Sequence, residues 1–104
     1  MEFKDYQKYR WFYTLSGKLV VGGKNAEQNE NLLKILKKEK KERIIMHTSV
    51  PGSPFSAIFA EVKSVKNEDI HECAIFTACF SRAWRERKIK AEVDIFKLSN
   101  LYKL

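Results

Sequence analysis

The sequence is poor in the residues that build disulfide scaffolds or metal sites. Its 104 residues include two cysteines and two histidines, His47 and His71. Cys73 and Cys79 are six positions apart in a stretch with helical periodicity, where they cannot face each other, and that spacing is not typical of a zinc site. We therefore expect two buried free thiols, with no metal site, no cofactor and no cluster of catalytic residues.

Long apolar runs are also missing. No run approaches the roughly 18 residues that a membrane-spanning helix needs. The first residues are charged throughout and contain no apolar signal-peptide core. Apolar residues make up 44% of the chain and charged residues 32%, as in an ordinary globular domain. We expect one cytoplasmic domain over residues 1–104 that does not associate with membranes.

Proline and glycine are scarce and fall at a few positions. Both prolines and Gly52 lie within residues 48–54, which should form a stiff loop. Ser16 and Gly17 separate two apolar runs, and a two-residue connection of this kind predicts a β-hairpin with a positive φ at Gly17. Gly22 and Gly23 then end the second strand.

Local patterns after the hairpin predict an α+β fold. Asn25 suits a helix N-cap, with Gln28 three residues further on as in a capping box. A second helix is expected to open with Asn67 as its cap, followed by two acidic residues that match the helix dipole. The remaining strands are predicted over residues 43–47, 55–62 and 89–96. Because residues 55–62 are apolar on both faces, that strand should be central.

The order of these elements is β-β-α-β-β-α-β. It predicts an α+β two-layer sandwich, in which a mainly antiparallel five-stranded sheet carries both helices on one face. The second helix should pack deeply, because apolar residues recur along it at positions 70, 73, 76, 80, 83 and 84. Ile75, Ala78 and Cys79 are expected to widen this apolar stripe.

Charge is the most informative property of the chain. The formal net charge is +7. Residues 34–43 contain six basic and two acidic side chains, and residues 82–90 contain five basic and one acidic, so the rest of the chain is close to neutral. Basic side chains near helix C-termini complement the helix dipole. So many of them favour a polyanionic partner.

The glycine pair leads directly into a helix N-terminus, whose amides and dipole favour an anion such as phosphate. Trp11 and Tyr13 alternate with Phe12 along the first strand, so one set is core and the other is free to stack on unpaired bases. The predicted nucleic-acid-binding residues combine basic side chains, the glycine turn, and a strand-end histidine with the loop that follows it. They are Arg10, Gly22, Gly23, Lys24, Asn29, Lys37, Lys38, His47, Gly52, Ser53, Arg82, Arg85 and Lys88.

Three of these residues have equally ordinary structural interpretations. Asn29 lies on the packing side of the first helix, where it could reach back and hold the glycine turn. His47 could orient a loop through a hydrogen bond rather than contact RNA. Ser53 could cap a turn rather than donate to a phosphate.

The chain resembles the NFACT-R domain, the RNA-binding module of proteins that tag nascent chains on stalled large ribosomal subunits. The resemblance covers nearly the whole chain. It lies in the segment from Arg10-Trp11-Phe12 through Gly22-Gly23 to Asn29-Glu30, in Met46-His47 followed by Pro51-Gly52-Ser53-Pro54, and in Ser81-Arg82-Ala83-Trp84. It implies an α+β domain that binds tRNA, rRNA or a ribosomal surface, with the ribosome or other proteins of RNA metabolism as further partners.

Two departures limit what the resemblance implies. The family usually carries an Asp after the strand-end histidine and a second His in the loop, and this chain has neither beside His47. The larger members also have an N-terminal domain and a coiled coil, so we expect a stand-alone member to which nascent-chain tagging does not transfer. The leading hypothesis is an RNA-binding module without catalysis. The alternatives are an RNA-processing or RNA-modification enzyme using His47 and the 51–54 loop, or an adaptor for an acidic protein.

Overall fold

Runs of β-branched and aromatic residues form the strands of a single sheet. The structure, a computed structural model, describes residues 3–48, 55–80 and 93–101. Its main elements are β1 (Arg10–Tyr13), β2 (Leu19–Gly22), α1 (Ala26–Glu39), β3 (Ile44–Thr48), β4 (Phe55–Phe59), α2 (Asn67–Cys79), β5 (Val93–Lys97) and a helical turn, α3 (Leu98–Leu101). Two short 3-10 helices precede β1 and α2, Tyr6–Lys8 and Val62–Ser64.

The strands lie in the order β1-β2-β4-β3-β5, and each neighbouring pair is antiparallel. The α+β class, the five-stranded antiparallel sheet and the order of elements are therefore confirmed. The strand that is apolar on both faces, β4, lies in the middle between β2 and β3, as its composition predicts.

Two core clusters use alternate residues of the central strands. Val21, Ile45 and Ala57 pack with Leu32 and Leu36 of α1. The strand residues next to these in the chain form the second cluster, together with Cys73 of α2. They are Val20, Ile44, Met46 and Ile58. Because successive strand residues point to opposite faces, α1 and α2 cover different faces of the sheet. In this respect the structure differs from the prediction, which placed both helices on one face of the sheet.

The topology explains this division. α1 connects β2 to β3 and α2 connects β4 to β5, and both connections skip one strand in the same direction across the sheet. The strands β2 and β3 run opposite to β4 and β5. Crossover connections are right-handed almost without exception. Two crossovers of one hand that start from oppositely directed strands must lie on opposite faces.

The hairpin between β1 and β2 is longer than a two-residue connection. Its loop spans residues 14–18, in which the Gly17 amide donates to the Thr14 carbonyl at 2.8 Å and the Thr14 amide donates to the Lys18 carbonyl at 2.9 Å. Gly17 has a φ of 87°. The positive φ predicted for Gly17 is confirmed. The loop is longer than two residues because the hydrogen bond that closes it joins Thr14 to Lys18, and not the residues next to Ser16 and Gly17.

Helix α2 differs from its prediction in two ways. Its N-cap is Lys66, and Asn67 is the first helical residue. Cys73 is buried, whereas Ile75 and Cys79 are exposed, so the apolar stripe is narrower than predicted and only one of the two thiols is buried. The reason is that α2 presents one side to the sheet, and residues two positions away from Cys73 or Thr77 turn toward solvent.

No helix in the described ranges has both the length and the hydropathy needed to cross a membrane.

Candidate nucleic-acid interface

Strand ends converge at one end of the sheet, which we call the glycine end. It comprises the start of β1 at Arg10, the end of β2 at Gly22, the start of β4 at Phe55, the end of β3 at Thr48 and the start of β5 at Val93. The N-terminus of α1 follows Gly22 by a few residues and therefore lies here as well. The flanks of the 48–54 loop, Thr48 and Phe55, belong to the same end.

The two glycines are required by close packing. At Gly22 a Cβ would lie 2.9 Å from the Ser56 hydroxyl and 3.3 Å from the Phe76 ring. At Gly23 a Cβ would overlap the side-chain oxygen of Asn29. The φ of Gly23 is not positive; among the described glycines, Gly17 has a positive φ. Contact with α1, rather than backbone strain, therefore excludes a side chain at Gly23.

Asn29 is the residue that fills this space. Its side chain lies against Gly23, and its Oδ1 is buried without a hydrogen-bond partner among the described residues. The Gly23 amide is used elsewhere, since it donates to the Phe55 carbonyl at 3.2 Å. Asn29 therefore packs against the glycine turn, but its Oδ1 makes no hydrogen bond to the turn.

Side-chain amides cap the N-terminus of α1. The backbone N–H of Gln28 donates to the side-chain Oδ1 of Asn25 at 2.9 Å. The backbone N–H of Lys24 donates to the side-chain Oε1 of Gln28 at 2.9 Å. The predicted cap at Asn25 is confirmed. Gln28 also donates through Nε2 to the Lys8 carbonyl at 2.9 Å, which ties the helix to the N-terminal segment. Both caps are neutral, so no carboxylate compensates the positive end of the dipole at these positions.

Lys24 is exposed immediately before this helix. None of the ion pairs among the described residues involves its ammonium group. With Lys24 beside them, the remaining first-turn amides of α1 form a positively polarised surface that suits a phosphate. The acidic residue in this first turn is Glu27.

Arg10 lies on the other face of the same end. Its guanidinium carbon is 4.2 Å from the centre of the Phe80 ring, at the end of α2. This cation–π contact holds the arginine against α2 while leaving it the charge that a phosphate contact needs.

His47 has a carboxylate partner that its own loop does not provide. Its Nδ1 lies 4.0 Å from Oδ2 of Asp94, its cross-strand partner on β5. Both side chains are largely exposed, at 46% and 62%. Sequence reasoning missed Asp94, because the pairing of β3 with β5 joins residues far apart in the chain.

Lys37 and Lys38 lie away from the glycine end. They are in the last turn of α1, and a helix of 14 residues separates its ends by about 20 Å. Lys40 and Lys41 follow, beside a shallow groove of about 280 Å³ that Leu36 and Leu98 also line. The predicted basic contacts that the structure describes are therefore divided: Arg10 and Lys24 lie at the glycine end, and Lys37 and Lys38 lie at the other end of α1. Gly52, Ser53, Arg82, Arg85 and Lys88 are outside the described residues.

The N-terminus of α2 already holds an anion from the chain itself. Asp69 is fully buried. Its carboxylate accepts from the Ser16 hydroxyl at 2.6 Å and from the Lys66 amide at 2.9 Å, with the Lys18 ammonium at 3.8 Å. Burial by itself raises the pKa of this carboxyl, but these donors and the nearby Thr14 outweigh burial and lower its pKa to about 2.

Two observations concern metal binding and the buried thiol in the described parts of the chain. No group of three or more His, Cys, Asp or Glu residues within them is arranged to hold a metal ion. Burial raises the pKa of the Cys73 thiol to about 12, although Thr77 opposes the shift, so this thiol stays protonated and unreactive at neutral pH.

Together these features describe a small α+β domain with a basic, phosphate-compatible end. The family model for the NFACT protein RNA binding domain matches residues 8–104. The chain is also similar to the archaeal Rqc2 homolog aRqcH of Methanocaldococcus jannaschii, with 38% identity over 84 residues, which is 81% of this chain and 12% of that protein. The chain belongs to the NFACT RNA-binding domain family. It spans about an eighth of the length of the curated relative that it matches.

Proposed function

We propose that this chain is an RNA-binding module that engages tRNA, rRNA or a ribosomal surface through the glycine end. The observation that supports this most is its membership of an RNA-binding domain family over residues 8–104. The Rqc2 homologue adds ribosome-associated quality control as the setting. Because the match covers a small part of that relative, a tagging activity is not included in the proposal.

The geometry supports a phosphate contact at the N-terminus of α1. The neutral caps Asn25 and Gln28 fix the first turn without adding negative charge. Lys24 is exposed beside it, and the close packing of Gly23 on Asn29 brings the turn against the helix. A phosphate there would meet backbone amides, a dipole and a lysine together.

A salt titration tests the proposal. The purified chain is titrated with tRNA and with a structured rRNA fragment at several salt concentrations. We expect log Kd to rise linearly with log salt concentration, with a slope of about 0.7 per neutralised phosphate for single-stranded regions and about 0.9 for duplex. Binding that does not change with salt would contradict phosphate recognition, as would the absence of binding.

The pair of His47 and Asp94 favours a second candidate function, an RNA-processing enzyme. A histidine whose Nδ1 faces a carboxylate can act as a general base. The test is incubation of labelled tRNA with the chain and divalent cations, with His47→Ala as the control. Cleavage or modification that His47→Ala abolishes would establish this function, whereas intact RNA in both samples would reject it for that substrate.

A further inference from the structure

The α1 side of the sheet is incompletely covered along β1. Trp11 and Tyr13 lie opposite Val21 and Leu19 in the hairpin register, and so face the side on which α1 packs. The helix covers the middle of that side through Leu32 and Leu36. At the edge, Trp11 remains 39% exposed and Tyr13 51% exposed. Phe12, between them, packs against Phe76 on the other face, so the exposed set is Trp11 and Tyr13.

Tyr6 joins these two side chains in a three-ring cluster that we call the aromatic edge, made of Tyr6, Trp11 and Tyr13. The ring centres of Tyr6 and Trp11 are 5.1 Å apart, and those of Trp11 and Tyr13 are 6.2 Å apart, with interplanar angles of 80° and 82°. The Tyr13 hydroxyl donates to the Tyr6 hydroxyl at 3.4 Å. In this edge-to-face arrangement Trp11 and Tyr13 remain partly exposed, so part of each ring is accessible from solvent.

A groove of about 630 Å³ continues from the aromatic edge. Tyr6 and Tyr13 line it together with the apolar side chains of Leu19 and Phe59 and with Lys4. The charges of Arg43 and Glu39, which also line it, compensate each other in a buried pair at 3.1 Å. Lys4 takes part in none of the ion pairs among the described residues. The groove therefore combines open aromatic surface with positive charge.

The aromatic edge is also connected to the proposed phosphate contact. Tyr6 and Lys8 belong to one short 3-10 helix, and the Lys8 carbonyl accepts from Gln28 in the first turn of α1. Trp11 pairs with Val21, one residue before the glycine turn. The aromatic rings and the N-terminus of α1 thus lie on the same side of the sheet.

We infer that the aromatic edge binds unpaired bases of single-stranded RNA by stacking on Trp11 and Tyr13. The inference rests on the proposed RNA-binding function and specifies its substrate as an unpaired segment. Bases have faces that stack on tyrosine and tryptophan, and lysines alongside hold the backbone. A duplex keeps its bases stacked on one another, so it cannot use this surface. Charge favours RNA over an apolar peptide, since the chain is strongly basic with a net charge of +7.

The test compares two substitutions at one exposed position. Tyr13→Leu removes the ring, whereas Tyr13→Phe retains it. Leu15→Ala is the control for an exposed apolar side chain without a ring, since Leu15 is 96% exposed. The probes are a short oligouridylate and a blunt RNA duplex of similar length, and thermal melts verify that each variant is folded. We expect Tyr13→Leu to weaken oligouridylate binding about tenfold. Tyr13→Phe and Leu15→Ala should bind oligouridylate with nearly the affinity of the parent. Duplex binding should be unchanged.

Tryptophan fluorescence gives an independent measurement. The chain has two tryptophans, Trp11 and Trp84, so the difference between the parent and Trp11→Phe isolates the signal of Trp11. We expect oligouridylate to quench Trp11 and the duplex to leave it unchanged. Unchanged oligouridylate affinity in Tyr13→Leu, or equal quenching of Trp11 by both RNAs, would overturn the inference. So would quenching of Trp11 by an extended apolar peptide and not by RNA.

These outcomes separate the inference from the function on which it rests. If the parent binds neither of these RNAs nor tRNA, the proposed function fails and the inference fails with it. If the parent binds tRNA but not oligouridylate, the inference alone fails. If both RNAs bind, and Lys24→Glu weakens both while Tyr13→Leu weakens neither, the RNA-binding function stands and the aromatic edge is a structural cluster.

Discussion

The two long helices begin in contrasting ways. At the N-terminus of α2 the buried carboxylate of Asp69 accepts from an amide and a hydroxyl, so the helix already has its anion. At the N-terminus of α1 the caps are the neutral side chains of Asn25 and Gln28, and Lys24 is exposed beside them. Helix N-termini favour negative charge. The comparison indicates that α2 is closed to an external anion and that α1 can accept one.

The most damaging change at the α1 end should be Gly23→Ala. The added Cβ would overlap Asn29, and overpacking of this kind costs about 3 kcal/mol. Gly17→Ala is the matched control, since Gly17 has positive φ but no atom within 4 Å of a new Cβ, which predicts a cost of about 1 kcal/mol. Urea unfolding of both variants measures the difference. Equal losses would show that the glycine turn is not closely packed on α1.

At the α2 end, Asp69→Asn should lower the free energy of unfolding by about 2 kcal/mol at neutral pH, because hydrogen bonds to a charged group are lost. The pKa of Asp69 in the fold, about 2, lies below its ordinary 3.8. Its stabilisation is therefore complete above about pH 4 and is lost as the pH falls toward 2. Unfolding curves across that range should show the parent and the variant converging. A constant gap would contradict the assignment to the carboxylate charge.

The two N-caps should also differ in energy. Asn25→Ala removes a side-chain acceptor from α1 and should cost about 1 kcal/mol. Lys66, the N-cap of α2, has no side-chain capping bond, and its ammonium cannot accept one. We expect Lys66→Ala to change stability by less than about 0.5 kcal/mol. Thermal melts of the two variants test this; a larger effect at Lys66 would reverse the comparison.

Local signals in the sequence predicted much of this architecture. The hairpin glycine, the cap at Asn25 and the central position of β4 each follow from a few adjacent residues, and the structure agrees. The sequence did not show that α1 and α2 occupy different faces, because that depends on which strands pair and on the hand of the crossovers. It also missed that Ile75 and Cys79 face solvent, since helical periodicity does not show which side of α2 meets the sheet.

The sequence also predicted only part of the candidate site, because local patterns show residues that are close in the chain and not contacts between distant segments. Gly22, Gly23 and Lys24 are neighbours in the chain, so their grouping is visible in the sequence. Asp94 beside His47 and Phe80 beneath Arg10 come from distant segments, and no local pattern indicates them. The predicted binding residues also included Lys37 and Lys38, but the length of α1 places them at its other end.

The most direct test of the central claim is one charge reversal made at each helix N-terminus. Lys24→Glu and Lys66→Glu change the net charge equally, and both positions are exposed. RNA affinity is measured for both variants by titration at one low salt concentration, with thermal melts as the folding control. We predict that Lys24→Glu weakens binding about tenfold, which corresponds to about 1.4 kcal/mol, while Lys66→Glu stays within about twofold of the parent. Equal weakening would show that net charge alone attracts RNA, and no weakening in Lys24→Glu would contradict binding at the N-terminus of α1.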